Sequence, residues 1–309
     1  MGRTLQYNTS DVFTGQPFKG NQLAIVHVQQ DVVLTQSEKQ SIAIEFNFSE
    51  TVFLHQPTPQ DPDATYKADI FTPEAEIPFA GHPTIGTACY IFETLETTRN
   101  NVTINLKAGQ VKALYDRHLA TAAAEIPHDF RLHAAQVPWK RVVDAQPGLK
   151  SVEFEHSTIP VASIVKGVTF GLLDLSAQPE LLRNVQVTKD DIPLHSDLDD
   201  GWKEGLIADL FYIYKPDQGD GVIRIQQRLI GLGLEDPATG SASAALTAYL
   251  ALQKGDPSTP YKFELEQGVE MGRRSIIGSE VHLSEDGKAI KTIILSGQSK
   301  PVMRGELLY

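Results

Sequence analysis

Two short motifs, 154 residues apart, constrain this chain more than any other feature. His82-Pro-Thr-Ile-Gly-Thr-Ala88 aligns with Asp236-Pro-Ala-Thr-Gly-Ser-Ala242. Pro, Gly and Ala coincide, Thr87 stands opposite Ser241, and the offset is half of the 309-residue chain. Each motif opens a run almost without charge, Ile85–Phe92 and Gly240–Leu250. A helix that is apolar all round is buried on every side. Strand-like segments lie before and after both runs, and each is followed by a strand and a Gly turn, at Ala108-Gly109 and Gln267-Gly268. The duplication predicts an α+β chain of two similar domains related by a pseudo-two-fold axis. Each is expected to be a curved mixed β-sheet wrapped around a central apolar α-helix.

The elements around the motifs follow from local pattern. Strands are expected over 4–13, 22–29, 52–54 and 67–71. Thr35-Gln-Ser-Glu38 is a capping box that opens a helix towards Phe46. After an irregular stretch from Pro73 to Pro83, a helix is expected from near Thr84 to about Leu95. In the second half, strands are expected over 160–166, 168–173, 206–213, 222–230, 261–266, 275–283 and 290–295. A helix is expected within 176–200, with Pro179 near its start, and another from Thr239 to about Leu252. Residues 128–150 read as a crossing between domains or a surface loop. The expected domains are 1–122 with 297–309, and 123–296.

Composition narrows the function. The chain is 41% hydrophobic, within the globular range once its 23 glycines are added, so it can build a core. Its net charge of −12 repels phosphate backbones, which argues against a nucleic-acid partner. Its one cysteine, Cys89, excludes an internal disulfide or a multi-thiolate metal site. No run reaches the roughly 18 apolar residues of a membrane span. The N-terminus lacks the apolar stretch of a signal peptide, and a cytoplasmic protein is expected.

The candidate site is built from the two motifs. Buried helices leave their first N–H groups without intrahelical partners. Two helix N-termini facing one cleft would present two positive dipole ends, a site for a carboxylate or for charge developing on one. Gly81, Gly86 and Gly240 permit close backbone approach, and Ser241 adds a hydroxyl. His82 and Asp236 hold equivalent places; each reads as an orienting or proton-handling group, or as a structural hydrogen bonder and an N-cap. Glu50 shares a strand face with Phe48, Val52 and Leu54. It reads as a base of raised pKa, or as a carboxylate turned to water at a strand mouth.

Other patterns carry less. Ser163-Ile-Val-Lys166 lacks its companion elements, and Gly231-Leu-Gly233 lacks the third glycine of a dinucleotide loop. His128 and His133 lack the Glu of a zinc-protease helix, so no metal is expected.

Four segments together resemble the phenazine-biosynthesis PhzF-like family: Asp11-Val-Phe-Thr-Gly-Gln-Pro-Phe-Lys-Gly-Asn21, Ser49-Glu-Thr-Val-Phe53, Phe71-Thr-Pro-Glu-Ala-Glu-Ile-Pro-Phe-Ala-Gly-His-Pro-Thr84 and Glu235-Asp-Pro-Ala-Thr-Gly-Ser-Ala242. Gln267-Gly268 with Met271-Gly-Arg273 adds a fifth. The resemblance spans nearly the whole chain and implies the diaminopimelate-epimerase fold. It implies a cofactor-free isomerase of a small carboxylate-bearing substrate, similar to a dihydro-hydroxyanthranilate, and a homodimer. Glu50 would be the catalytic general base and acid, assisted by His82 and Asp236, with Gly81, Gly240 and Ser241 binding substrate. Relatives of this fold that racemise amino acids use two opposed thiols. Here those places fall near Ala80 and Pro237, which disfavours that mechanism. A racemase or epimerase using Glu50, and a non-catalytic small-molecule binder, stand as the alternatives. The run Arg228-Leu-Ile-Gly-Leu-Gly-Leu departs from the family pattern before Glu-Asp-Pro.

Overall fold

The computed structural model describes residues 3–309 apart from 136, 151–157, 189–191, 193 and 232. Met1, Gly2, Leu232 of the Gly-Leu-Gly run, and part of the helix expected within 176–200 therefore lie outside the described residues. The chain is α+β and divides into two compact units. One comprises Met1–Ile126 with Ile294–Tyr309, the other Pro127–Ile293.

The first unit begins with Thr4–Val12, antiparallel to both Asn21–Val28 and the C-terminal strand Ser299–Leu308. Helix α1 (Gln36–Phe46) carries the chain over to Glu50–His55, which pairs parallel to Asn21–Val28. The expected capping box is present: Glu38 N–H donates to Thr35 Oγ1 at 3.2 Å and Thr35 N–H to Glu38 Oε2 at 2.8 Å. Asn47, with φ 51°, closes the helix in the left-handed conformation. Thr65–Phe71 runs antiparallel to Glu50–His55, and after helix α2 (Gly81–Tyr90) the strand Asn101–Leu106 returns parallel to it. Gly109–Asp116 and Thr121–Glu125 complete the sheet by antiparallel pairing. Leu5, Val26, Phe53 and Phe71 form a core shared with Ile42 of α1.

In the second unit the succession of pairings is the same. Val161–Val165 is antiparallel to Val168–Asp174, which is parallel to Leu206–Tyr214. Val222–Gly231 follows antiparallel. After helices α3 (Trp139–Ala145), earlier in the chain, and α4 (Gly240–Lys254), Tyr261–Gln267 returns parallel to Val222–Gly231 and Ser275–Leu283 closes antiparallel.

Both motif helices are interior elements. Gly81 through Cys89 are buried without exception, and α2 packs on strands of its own sheet. In α4, every residue from Ala242 to Ala248 is buried. At roughly 25 cal/mol per Å² of apolar surface, that burial is what holds α2 in place, with two glycines, a proline and two threonines among its ten residues, whereas α4, with five alanines among fifteen, also has helix propensity of its own. Among the described residues no helix is long and apolar enough to cross a membrane.

Three expectations are corrected. Helix α2 starts at Gly81 rather than near Thr84. Pro83 falls in its first turn, where a missing N–H costs nothing. The region 176–200 holds no α-helix among its described residues, only 3₁₀ turns at Pro179–Asn184 and His195–Asp197. The reason is tertiary. The Arg228 guanidinium donates to the carbonyls of Leu182 at 2.9 Å and Val185 at 2.7 Å, which a continuing helix needs for its own ladder. Residues 128–150 are neither bare crossing nor loop, since they contain α3.

Candidate active site

In the first unit, Asn47 turns the chain out of α1, and Ser49 and Glu50 enter the strand that runs beside Leu23. The Glu50 side chain is 16% exposed. Its Oε2 has no hydrogen-bond partner among the described residues. Burial pushes the carboxyl up to about 7, the nearby Glu74 charge adds to this, and a hydrogen bond with Ser49 opposes it. A carboxyl poised there is half ionised at neutral pH and so can either accept or donate a proton.

His82 comes from a different element. It is the second residue of α2 and is buried. Its Nε2 stands 3.5 Å from Glu50 Oε2, near enough to feel its charge and longer than a good hydrogen bond. The helix end beside them carries no side-chain cap. Ala80 is the N-cap residue, in extended conformation, and has no polar side chain to offer. The hydroxyl of Thr84 is engaged with the Ala80 carbonyl at 2.7 Å. Gly81 therefore sits at the positive end of a buried helix, next to an imidazole and a carboxyl group that titrates near neutrality. Thus Glu50, Gly81 and His82 are brought together.

In the second unit, Asp236, Gly240 and Ser241 gather at the mouth of α4. Asp236 ends the strand Leu234–Asp236 and is half-buried. It is not the N-cap of α4; Thr239 is, and Thr239 makes no side-chain cap bond. Its hydroxyl instead donates to Asp236 Oδ2. Gln267 completes the arrangement. Its Nε2 donates to the Asp236 carbonyl at 2.8 Å and to Thr239 Oγ1 at 3.0 Å, while its Oε1 accepts the Thr239 N–H at 3.1 Å. Gln227 donates to the same Oε1 at 2.7 Å and to Ser243 Oγ at 2.8 Å. Gly268 follows with φ +71°, and a Cβ there would lie 2.6 Å from the Arg273 carbonyl oxygen and 2.7 Å from that of Pro237. In the sequence, Gln267-Gly268 is legible only as a motif. The role of its amide, and the whole of Gln227, were missed. The available signal was a Gln at a strand end before a turn glycine.

A second constellation looks catalytic and is not. His133 Nε2 lies 2.8 Å from Ser163 Oγ, and Asp199 is the nearby carboxylate. However, Nδ1 accepts the Asp199 N–H at 3.2 Å, so the proton of the neutral ring is on Nε2 and points at the serine. Such a ring cannot take the serine proton, and Ser163 is fully buried. Cys89 is equally inert. Burial pushes its thiol up to about 12, and it donates to the Gly297 carbonyl at 3.7 Å. Among the described residues no group of His, Cys, Asp and Glu is arranged to hold a metal ion.

Comparison with known proteins agrees with this architecture. The family model described as "Phenazine biosynthesis-like protein" matches residues 10–305. An uncharacterised isomerase of Mesorhizobium japonicum is 30% identical over 315 residues, covering 99% of both chains. The trans-2,3-dihydro-3-hydroxyanthranilate isomerase of Pseudomonas aeruginosa is 26% identical over 309 residues, covering 97% of this chain and 98% of its own. The crystal structure of a PhzF-family phenazine biosynthesis protein from Bacillus anthracis superposes with a TM-score of 0.76 at 21% identity, over 99% of this chain and 100% of that one; this likeness concerns the fold. The chain is an enzyme of the isomerase class. It belongs to the phenazine biosynthesis-like, PhzC-PhzF, family.

Proposed function

We propose that this protein is a cofactor-independent isomerase that moves a proton between two carbons of a small carboxylate-bearing substrate, with Glu50 as the shuttle. One observation carries this reading: a buried carboxyl with pKa about 7, next to His82 at an uncapped helix N-terminus. Ionised Glu50 takes the proton from one carbon, breaking its C–H bond, and the electron pair moves into the π system. The neutral acid so formed returns the proton to a second carbon, and the double bond has moved. Charge on the substrate and Glu50 together is conserved, so no metal or cofactor is required to balance the step. His82 and the Gly81 end of α2 would stabilise the electron-rich intermediate. Asp236 is assigned to orient the substrate amine or hydroxyl, and Gly240 and Ser241 to bind its carboxylate. The duplicated motif, and a pseudo-two-fold relation of two similar domains, are part of the same reading. A two-thiol racemase is unsupported, because the one thiol is buried and held protonated.

The substrate of the Pseudomonas relative is the compound with which to test this. Incubated with trans-2,3-dihydro-3-hydroxyanthranilate in deuterated water, the wild-type protein should place deuterium on a ring carbon. Glu50→Gln should reduce this to the rate without enzyme. Equal incorporation by both proteins, above that rate, would remove Glu50 from the mechanism.

A further inference from the structure

The second unit holds a cavity of about 350 Å³ that the isomerase reading does not use. This size is at the small end of ligand pockets. Its polar wall is Asp174, at the end of Val168–Asp174, with Tyr212 directly beside it in the parallel register. Tyr249 and Gln253, one turn apart near the far end of α4 from Gly240, face it from the helix, and Trp139 of α3 adds a third aromatic ring.

The chemistry of this lining is one-sided. Asp174 accepts the Ser176 N–H at 2.8 Å and a hydrogen bond from Tyr212. Among the described residues it forms no ion pair, and no lysine or arginine lines the cavity. Its charge helps to hold the hydroxyls of Tyr212, Tyr214 and Tyr249 protonated, beyond the effect of burial. His133 also lines the cavity, but burial holds its pKa down and both ring nitrogens are engaged, so it offers no opposing charge. A half-buried carboxylate in a cavity lined by aromatic side chains repels anions and is poorly served by a neutral occupant. It attracts a cation, through Asp174 directly and through the ring quadrupoles.

We propose that this cavity binds a small organic cation, an alkylammonium or quaternary ammonium group, with Asp174 as counter-charge and Tyr212, Tyr249 and Trp139 as its aromatic walls. Trp139 is one of two tryptophans in the chain and reports occupancy directly by its fluorescence. The probe is choline, titrated at constant ionic strength, against its uncharged isostere 3,3-dimethyl-1-butanol. Choline should saturate with one site per chain, and the alcohol should bind at least about tenfold more weakly, as cation–π and ionic attraction require. Asp174→Asn should weaken choline about tenfold and leave the alcohol unchanged; Tyr249→Ala should weaken choline in the same sense. Equal binding of choline and the alcohol to the wild-type protein would overturn the proposal. So would the absence of saturation up to about 100 mM choline, an affinity below that of a specific site. Both of these are read on the unmodified chain and do not depend on any variant folding.

Discussion

At the scale of single residues, Glu50 couples activity to stability. Its carboxyl titrates at about 7 in the folded protein against an ordinary value of 4.5. Below the ordinary value it is protonated whether the chain is folded or not. Between the two, the unfolded chain releases the proton first, so stability falls as pH rises through the folded pKa. The loss amounts to about 3 kcal/mol by pH 8. Glu50→Gln removes that cost. In denaturant titrations it should be more stable than wild type at pH 8, by up to about 3 kcal/mol, and indistinguishable from it at pH 4. The same ionisation should set an acidic limb with a midpoint near pH 7 in wild-type kcat/KM, and the Gln variant should lose at least about 100-fold in kcat. A wild-type profile flat from pH 5 to 8 would contradict a Glu50 base. That Glu50 alternates with the buried Val52 and Leu54 was legible in the sequence, but Phe48, expected on the same face, lies ahead of the strand with its ring beside Phe46. The 3.5 Å approach of Glu50 to His82 was not legible, because no local pattern records a contact across 32 residues.

At the scale of elements, α2 is confined by what surrounds it. A Cβ on Gly86 would lie 2.6 Å from Leu23 Cδ2 and 2.7 Å from Val12 Cγ2, both on buried strands. Gly86→Ala should therefore destabilise the protein by about 1–3 kcal/mol, despite the better helix propensity of Ala, because it overpacks a filled core. Chemical unfolding checks this, and a gain in stability would mean that the sheet does not close on the helix. Helix α1 was legible to the residue, since a capping box acts over four positions and needs nothing beyond them. The stretch 176–200 was not. Its backbone carbonyls are claimed by Arg228, more than 40 residues later, and local propensity cannot anticipate a competitor so distant.

At the scale of the whole molecule, the chain returns to where it began. Ser299–Leu308 pairs with Thr4–Val12 along its full length, with Thr4 opposite Leu308. Ending the chain after Gln298 would leave Thr4–Val12 with one neighbour and expose the core around Leu5. Amide exchange should then rise towards the rate of unstructured backbone at those positions of 4–12 whose N–H groups bond to Ser299–Leu308, or the truncated chain should fail to stay in solution. Full protection of those amides in a soluble truncated chain would show that the closing strand is dispensable. The expected domains place 297–309 with 1–122, but no strand is expected there, because Pro301, Gly305 and three charged residues interrupt the pattern. The duplicated motif, the apolar helices and the strands on either side of them are properties of short windows: burial leaves a period, and a cap or a turn leaves a residue type. Which helix mouth receives the buried carboxyl, which glutamine clamps Asp236, and which strand closes the sheet were decided by tertiary packing. Those pairings join residues far apart along the chain, and their free energy arises only once the intervening loops have closed.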